Sequence, residues 1–163
     1  MTTISSRLPA LITYLVALFT NDPTVGGAGV TVFDGPVTTD LDPSLKLWIG
    51  MQNPDGAGPQ EAGKSAQDWG GIGRQAKNEV ARIHCVAEAW SGDDTLATVR
   101  DSLFGITSAV EALMLANSDR FGGNVLFPSN GFSEGTLVQD NPDTGAVARL
   151  LFDLVFTARI GGT

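Results

Sequence analysis

Two stretches near the C-terminal end carry the spelling of catalytic loops. GFSEG (Gly131 to Gly135) fits the G-x-S-x-G elbow, which presents a serine nucleophile on a strand-to-helix turn. DTGA (Asp143 to Ala146) is the spelling of an aspartic-protease loop, where paired carboxylates share a proton. The elbow needs a strand before the serine, a helix after it and a downstream histidine as base. Here PSN, a turn-forming tripeptide, precedes GFSEG, strand-like TLV follows, and the one histidine, His84, lies upstream. Nothing in the sequence brings His84 to Ser133 beside a carboxylate. Before Asp143 stands QDNP, which makes a turn rather than the apolar strand a protease loop requires. TLV, a DNPDTG turn and a long alternating strand therefore predict a β-hairpin, with a generous loop over about residues 128–146.

The remaining candidates are weaker. Cys85 and His84 are the only residues of their kinds, too few for a zinc site and unable to make an internal disulfide. WGGIGR (Trp69 to Arg74) is glycine-rich but lacks the strand, the helix and the Lys-Ser/Thr of a phosphate loop. No carboxylate pair is set in apolar surroundings that would raise a pKa. The sequence thus assigns no catalytic, cofactor-binding or metal-binding residue, and the expected protein is not an enzyme.

The 163 residues suit a single domain with a buried core, at 42% hydrophobic and 17% charged. The net charge of −8 is scattered, and no cluster of Lys and Arg is present to grip phosphates, which disfavours nucleic-acid binding. LPALITYLVALF is interrupted by Pro9 and too short for a bilayer span. It predicts a buried helix, capped by Ser5 or Ser6 and stopped near Thr20 by Asn21-Asp22-Pro23.

Two short strand candidates follow, VTVFDGP (Val30 to Pro36) and LKLWIGM (Leu45 to Met51), joined by VTTDLDPS. Gly, Ala and Pro then dominate residues 52–73, which have no periodicity and predict a loop or arm. Glu79 to Trp90 alternates, with Ala81, Ile83, Cys85, Ala87 and Ala89 on one face and Arg82, His84 and Glu88 on the other. Ser91-Gly92-Asp93-Asp94 ends this strand and supplies acids to the start of a helix. Leu96, Val99, Leu103, Ile106, Val110 and Leu113 recur at spacings of 3 and 4, one apolar stripe from about Thr95 to Ala116. A short VLF comes next. In the closing strand Ala148, Leu150, Phe152, Leu154, Phe156, Ala158 and Ile160 share the core face.

At ~3.3 Å per residue that last strand is about 45 Å long, enough to cross the molecule. Its second face mixes Arg149, Asp153, Thr157 and Arg159 with Val147, Leu151 and Val155, and Val80, Val86 and Trp90 make the other long strand equally two-sided. A second copy of the chain is the simplest cover. The candidate subunit-interface residues are Val80, Val86, Trp90, Val147, Leu151 and Val155, with Trp69 within the 52–73 arm. Leu151→Asp or Val155→Asp is expected to block association and leave the fold intact.

The order of these phrases carries a resemblance. SRLPALITYLVALF, a strand ending in FDGP, LKLWIGM, a glycine-rich loop, VARIHCVAEAWSGDD, TLATVRDSLFGITSAVEALM and TGAVARLLFDLVFTARI follow one another. Over nearly the whole chain the sequence resembles the tail terminator (tail-completion) proteins of long-tailed bacteriophages, especially those of actinobacterial hosts. The resemblance implies an α+β subunit with helices on one face of an antiparallel sheet. It implies a homohexameric ring that caps the tail tube, stops its growth and meets the head-side connector, with DNA passing through the lumen unbound. Such a subunit would assemble in the host cytoplasm and reside in the virion. Head-tail stoppers and connector adaptors have similar size and composition, and a small-molecule binding domain is the remaining alternative.

Overall fold

A computed structural model describes residues 5–37, 43–56, 58–70, 76–92, 95–117, 120–126 and 132–161. Helix α1 (Leu8–Asn21) begins behind Ser6, whose hydroxyl accepts a hydrogen bond from the Leu8 amide at 3.0 Å. Pro9 sits in its first turn, where a missing N–H costs nothing. Leu11, Leu15 and Phe19, four residues apart, form its buried stripe. The Asp22 amide closes the last turn on Leu18, and Pro23 follows.

The strands are β1 (Thr31–Asp34), β2 (Leu45–Ile49), β3 (Gly63–Trp69), β4 (Lys77–Ser91), β5 (Phe132–Asp140) and β6 (Ala146–Ile160). Helix α2 (Leu96–Ala116) lies between β4 and β5 in the chain. The six strands form one sheet in the order β1-β2-β4-β6-β5, with β3 also on β4. Only β1–β2 is parallel. The protein is therefore α+β with a mostly antiparallel sheet.

β4 and β6 pair along their whole lengths, from Lys77 opposite Ile160 to Ser91 opposite Ala146. Strict alternation puts Ala81, Ile83, Cys85 and Ala87 of β4 on one face with Leu150, Phe152, Leu154 and Phe156 of β6. Both helices cover that face. From α2, Val99, Leu103, Ile106, Val110 and Met114 are buried, while Leu96 and Leu113 of the expected stripe are half-buried. The small alanines of β4 let α2 lie close to the sheet. Asp93 and Asp94, the acids expected at its start, fall outside the described residues.

Two expectations are corrected here. Residues 52–73 are not one loop, because Gly63–Trp69 is strand β3, paired antiparallel with β4 from Gly63–Ile83 to Trp69–Lys77. β2 and β3 occupy successive halves of the same β4 edge, so residues 50–62 are an excursion between two strands. The excursion leaves and rejoins the sheet at one point. The His84 carbonyl accepts from the Gly50 and Met51 amides, and the His84 amide donates to Ala62. The loop expected over 128–146 is also shorter. TLV is in a strand as expected, but that strand already begins at Phe132, and the turn spans only 141–145. Residues 128–131 lie outside the described set.

Candidate functional site

The face of the sheet away from the helices carries the concentration of polar side chains. The β4–β6 register sets His84 opposite Asp153 and Glu88 opposite Arg149. His84 Nδ1 lies 2.6 Å from Asp153 Oδ1, and His84 Nε2 lies 2.9 Å from Glu61 Oε1, carried in by the 50–62 excursion. Each ring nitrogen of His84 thus faces one carboxylate oxygen. The Arg82 guanidinium donates to Asp153 at 2.7 Å, and Glu134 of β5 stands 3.9 Å from it. The bond to Asp153 holds the Arg82 pKa above its usual value. Bonds from His84, then from Lys64, hold the Glu61 carboxyl below its usual value.

A second network begins four residues away from His84 and Asp153 along each paired strand. Lys46 of β2 donates to Glu88 at 2.8 Å, and both side chains are almost fully buried. Arg149 donates to the other Glu88 oxygen and to Asp55 of the excursion. Burial opposes the Arg149 charge, but its bonds and attraction to Glu88 and Asp55 outweigh that and raise its pKa. The excursion is thus fastened to the sheet twice, at Asp55 and at Glu61.

Between the networks lies a small apolar cluster of Phe33, Trp48, Met51 and Val86, with Leu151 packed against it. Phe33 and Trp48 stack at 5.5 Å because the parallel β1–β2 register places them side by side. Trp48 Nε1 is buried without a hydrogen-bond partner among the described residues. Two shallow depressions flank the cluster. One of about 200 Å³ is lined by Met51, Gln52, His84, Glu134, Thr136 and Asp153. The other, of about 380 Å³, is lined by Lys46, Asp55, Glu88, Trp90, Asp140 and Arg149 among others.

The seven candidate interface residues fall into three groups. Val86 is fully buried by the chain's own Phe33, Trp48 and Met51, so it needs no partner to cover it; that assignment is corrected. Trp90, Val147, Leu151 and Val155 are half-buried on the second face. Leu151 packs into the apolar cluster, so Leu151→Asp would disturb the fold as well as any interface. Val80 is 46% exposed and Trp69 70% exposed, both at the β3 end of the sheet, with Lys77 Nζ 4.9 Å from the Trp69 ring centre.

The catalytic spellings come apart differently. Ser133 stands opposite Asp153 in the β5–β6 register, nearer to His84 than the sequence suggested. Both His84 ring nitrogens nevertheless face carboxylates, so neither is turned to the serine. Glu134 has φ of 52° at a bulge between Ser133 and Gly135, inside a strand rather than at a strand-to-helix elbow. Asp143 is exposed in the hairpin turn, closed by the Gly145 amide on the Pro142 carbonyl at 2.9 Å. Among the described residues no group of three His, Cys, Asp or Glu side chains could hold a metal ion.

The sheet is open at its sides. β3 is exposed on both faces from Lys64 to Trp69, and β5 from Glu134 to Asp140, including Leu137 and Val138. Each pairs with one neighbour among the described residues. Among the described residues no helix is long and apolar enough to cross a membrane. No protein-family model matches the chain, and a search of curated proteins finds no match either.

Proposed function

We propose that the protein is a non-enzymatic structural subunit of a bacteriophage virion, a tail terminator that forms a ring on the end of the tail tube. The open sheet carries this reading. β3 and β5 lie on different sides of the β4–β6 pair, are solvated on both faces, and among the described residues each has one edge without a strand partner. Such edges are templates for a neighbouring chain. Contacts between two different edges of successive copies are heterologous, and heterologous contacts build a ring where the rotation between copies closes. Trp69 at the end of β3 is the kind of large exposed aromatic that anchors interfaces. The resemblance in element order supplies the copy number of six, the tail tube as neighbour on one side and the head-side connector on the other. A net charge of −8 suits a lumen through which DNA slides without sticking.

The test is the native mass of the untagged protein over a wide concentration range, with negative-stain images and co-sedimentation with purified tail tubes. Rings of six, free or on tube ends, are expected. Trp69→Ser and Val138→Lys, both at exposed positions, should abolish them without lowering the melting temperature. A wild-type chain that stays monomeric and ignores tail tubes would refute the reading.

A further inference from the structure

We infer that β5 of one copy pairs antiparallel with β3 of the next, in the register that sets Asp140 opposite Lys64, Val138 opposite Ala66 and Thr136 opposite Asp68. This rests on the ring reading for its occupant, a second copy of the chain, and adds the strand direction and the register. β3 is antiparallel to β4, β4 to β6 and β6 to β5, so β3 and β5 run in opposite senses. Successive copies around a ring keep the same face inward and are not turned end for end, so β5 of one meets β3 of the next antiparallel. The Ala62 carbonyl accepts from the His84 amide, and the Gly70 amide donates to Ala76. Even-numbered residues of β3 therefore turn their backbone groups to β4, and Ser65, Gln67 and Trp69 turn theirs outward. On the far side Thr157 of β6 accepts from the Leu126 amide beyond the end of β5, so odd-numbered residues of β6 face that side. Their partners Thr136, Val138 and Asp140 are committed to β6, and Gly135, Leu137 and Gln139 turn outward. The outward residues then meet as Gly135–Trp69, Leu137–Gln67 and Gln139–Ser65, pairs that exchange their N–H···O bonds.

Pleat and direction permit slips by two residues, and the charges choose among them. In this register the cation of β3 faces the acid at the end of β5. Lys64 is exposed, with half-exposed Glu61 at 3.3 Å, and the exposed Asp140 carboxylate accepts from the Asn141 amide at 2.8 Å. A slip by two one way sets Lys64 against Val138. A slip the other way sets Asp68 against Val138 and Asp140 against Ala66, and a slip by four sets Asp68 against Asp140. Opposite charges across a ladder attract and like charges destabilise it. The regular part of β5, from Gly135 after its bulge to Asp140 before the turn, is also used in full against Lys64 to Trp69. Trp69 meets Gly135, which has no side chain to hold the indole off the strand. Lys64 lies opposite Arg82, whereas Asp140 lies level with Trp90 through Val147, eight residues further along β4. Successive copies are thus staggered by about 26 Å at ~3.3 Å per residue, and a staggered sheet closes by tilting its strands. The stagger also keeps the incoming β5 clear of β2, which pairs with residues 85–89 of β4.

The experiment is disulfide cross-linking of the full chain, with and without purified tail tubes, read on non-reducing gels beside the native mass. Ala66 and Val138 are exposed and form a non-hydrogen-bonded pair in this register, the closer kind. The native Cys85 is buried and stays silent. Ala66→Cys chains mixed with Val138→Cys chains should link under mild oxidation, and neither variant alone should. Two mixtures probe the slipped registers, Ala66→Cys with Thr136→Cys and Asp68→Cys with Val138→Cys. Their yield should be about tenfold lower or less, because a diagonal pair holds its Cα atoms ~7–8 Å apart, at or beyond the reach of a disulfide. Lys64→Glu and Asp140→Lys should each raise the concentration needed for assembly about fivefold, and the double variant should restore it. Rings that link only in a slipped register or not at all, or a double variant as weak as the singles, overturn this pairing and leave the ring reading standing. Chains that link in this register without closing rings keep the pairing and remove the ring. A chain that neither assembles nor links overturns both.

Discussion

Glu79 is a fully buried carboxylate on the core face of β4, and its removal should be among the costliest single changes in the protein. One oxygen accepts from the Ser6 hydroxyl and from the Ser65 hydroxyl at 2.6 Å, and the other from the Arg7 amide at 2.7 Å. The residue therefore ties the start of α1, β3 and β4 together. Hydrogen bonds to a charged acceptor contribute about 1.5–3 kcal/mol each, and desolvating the carboxylate offsets part of that sum. Glu79→Ala removes the acceptor and leaves two hydroxyls and a backbone N–H unsatisfied or newly wet, for a loss of about 3–5 kcal/mol. Glu79→Gln keeps one acceptor oxygen but turns an N–H₂ towards donors, and should lose about 2 kcal/mol. For a domain of this size the Ala variant should melt about 10 °C lower. Urea unfolding of wild type, Glu79→Ala, Ser65→Ala and the double variant gives the coupling directly. Singles that add without interaction, or a Glu79→Ala loss under about 0.5 kcal/mol, would refute the assignment.

Two further outcomes follow from the structure. Gly145 has φ of +118°, and a Cβ there would lie 2.1 Å from the Ser91 carbonyl oxygen, so Gly145→Ala should cost about 2 kcal/mol or more by urea unfolding. Cys85 is buried and its thiol pKa is raised by burial. It should resist thiol reagents at about pH 8 and react only at the rate of unfolding, which mass spectrometry of a timed labelling course would read.

The sequence reveals most where burial is one-sided. β4, β6 and α2 announce themselves because one face meets the core and the other does not, so residue type repeats with the period of the element. β3 has no such contrast. GKSAQDW is solvated on both faces beyond Gly63, and nothing forces its residues to alternate. Its place is set from outside, by the half of the β4 edge that β2 leaves unpaired. Val86 was misplaced for a related reason. The residues that bury it come from β1, β2 and the excursion, and only the β1–β2 register shows that Phe33 and Trp48 meet above it. Glu79 breaks the apolar pattern on its face of β4, a sign visible in the sequence that a partner must be near.

Alternation also leaves the β4–β6 register open, since a slip by two residues keeps every side chain on its face and changes only its partner. The charges remove that freedom. His84–Asp153 and Glu88–Arg149 are four residues apart on β4 and four apart in the opposite sense on β6, so one antiparallel register satisfies both pairs. A slip by two would set His84 against Leu151 or Val155, and Glu88 against Val147 or Leu151, stranding charges on a face already closed by Trp48 and Met51. Each stranded charge costs several kcal/mol, more than one apolar contact returns. The polar networks thus have a structural task that precedes any other use: they select the register that the apolar core alone permits but does not choose. Glu61 is exempt from that task, being half-exposed and outside the β4–β6 pairing.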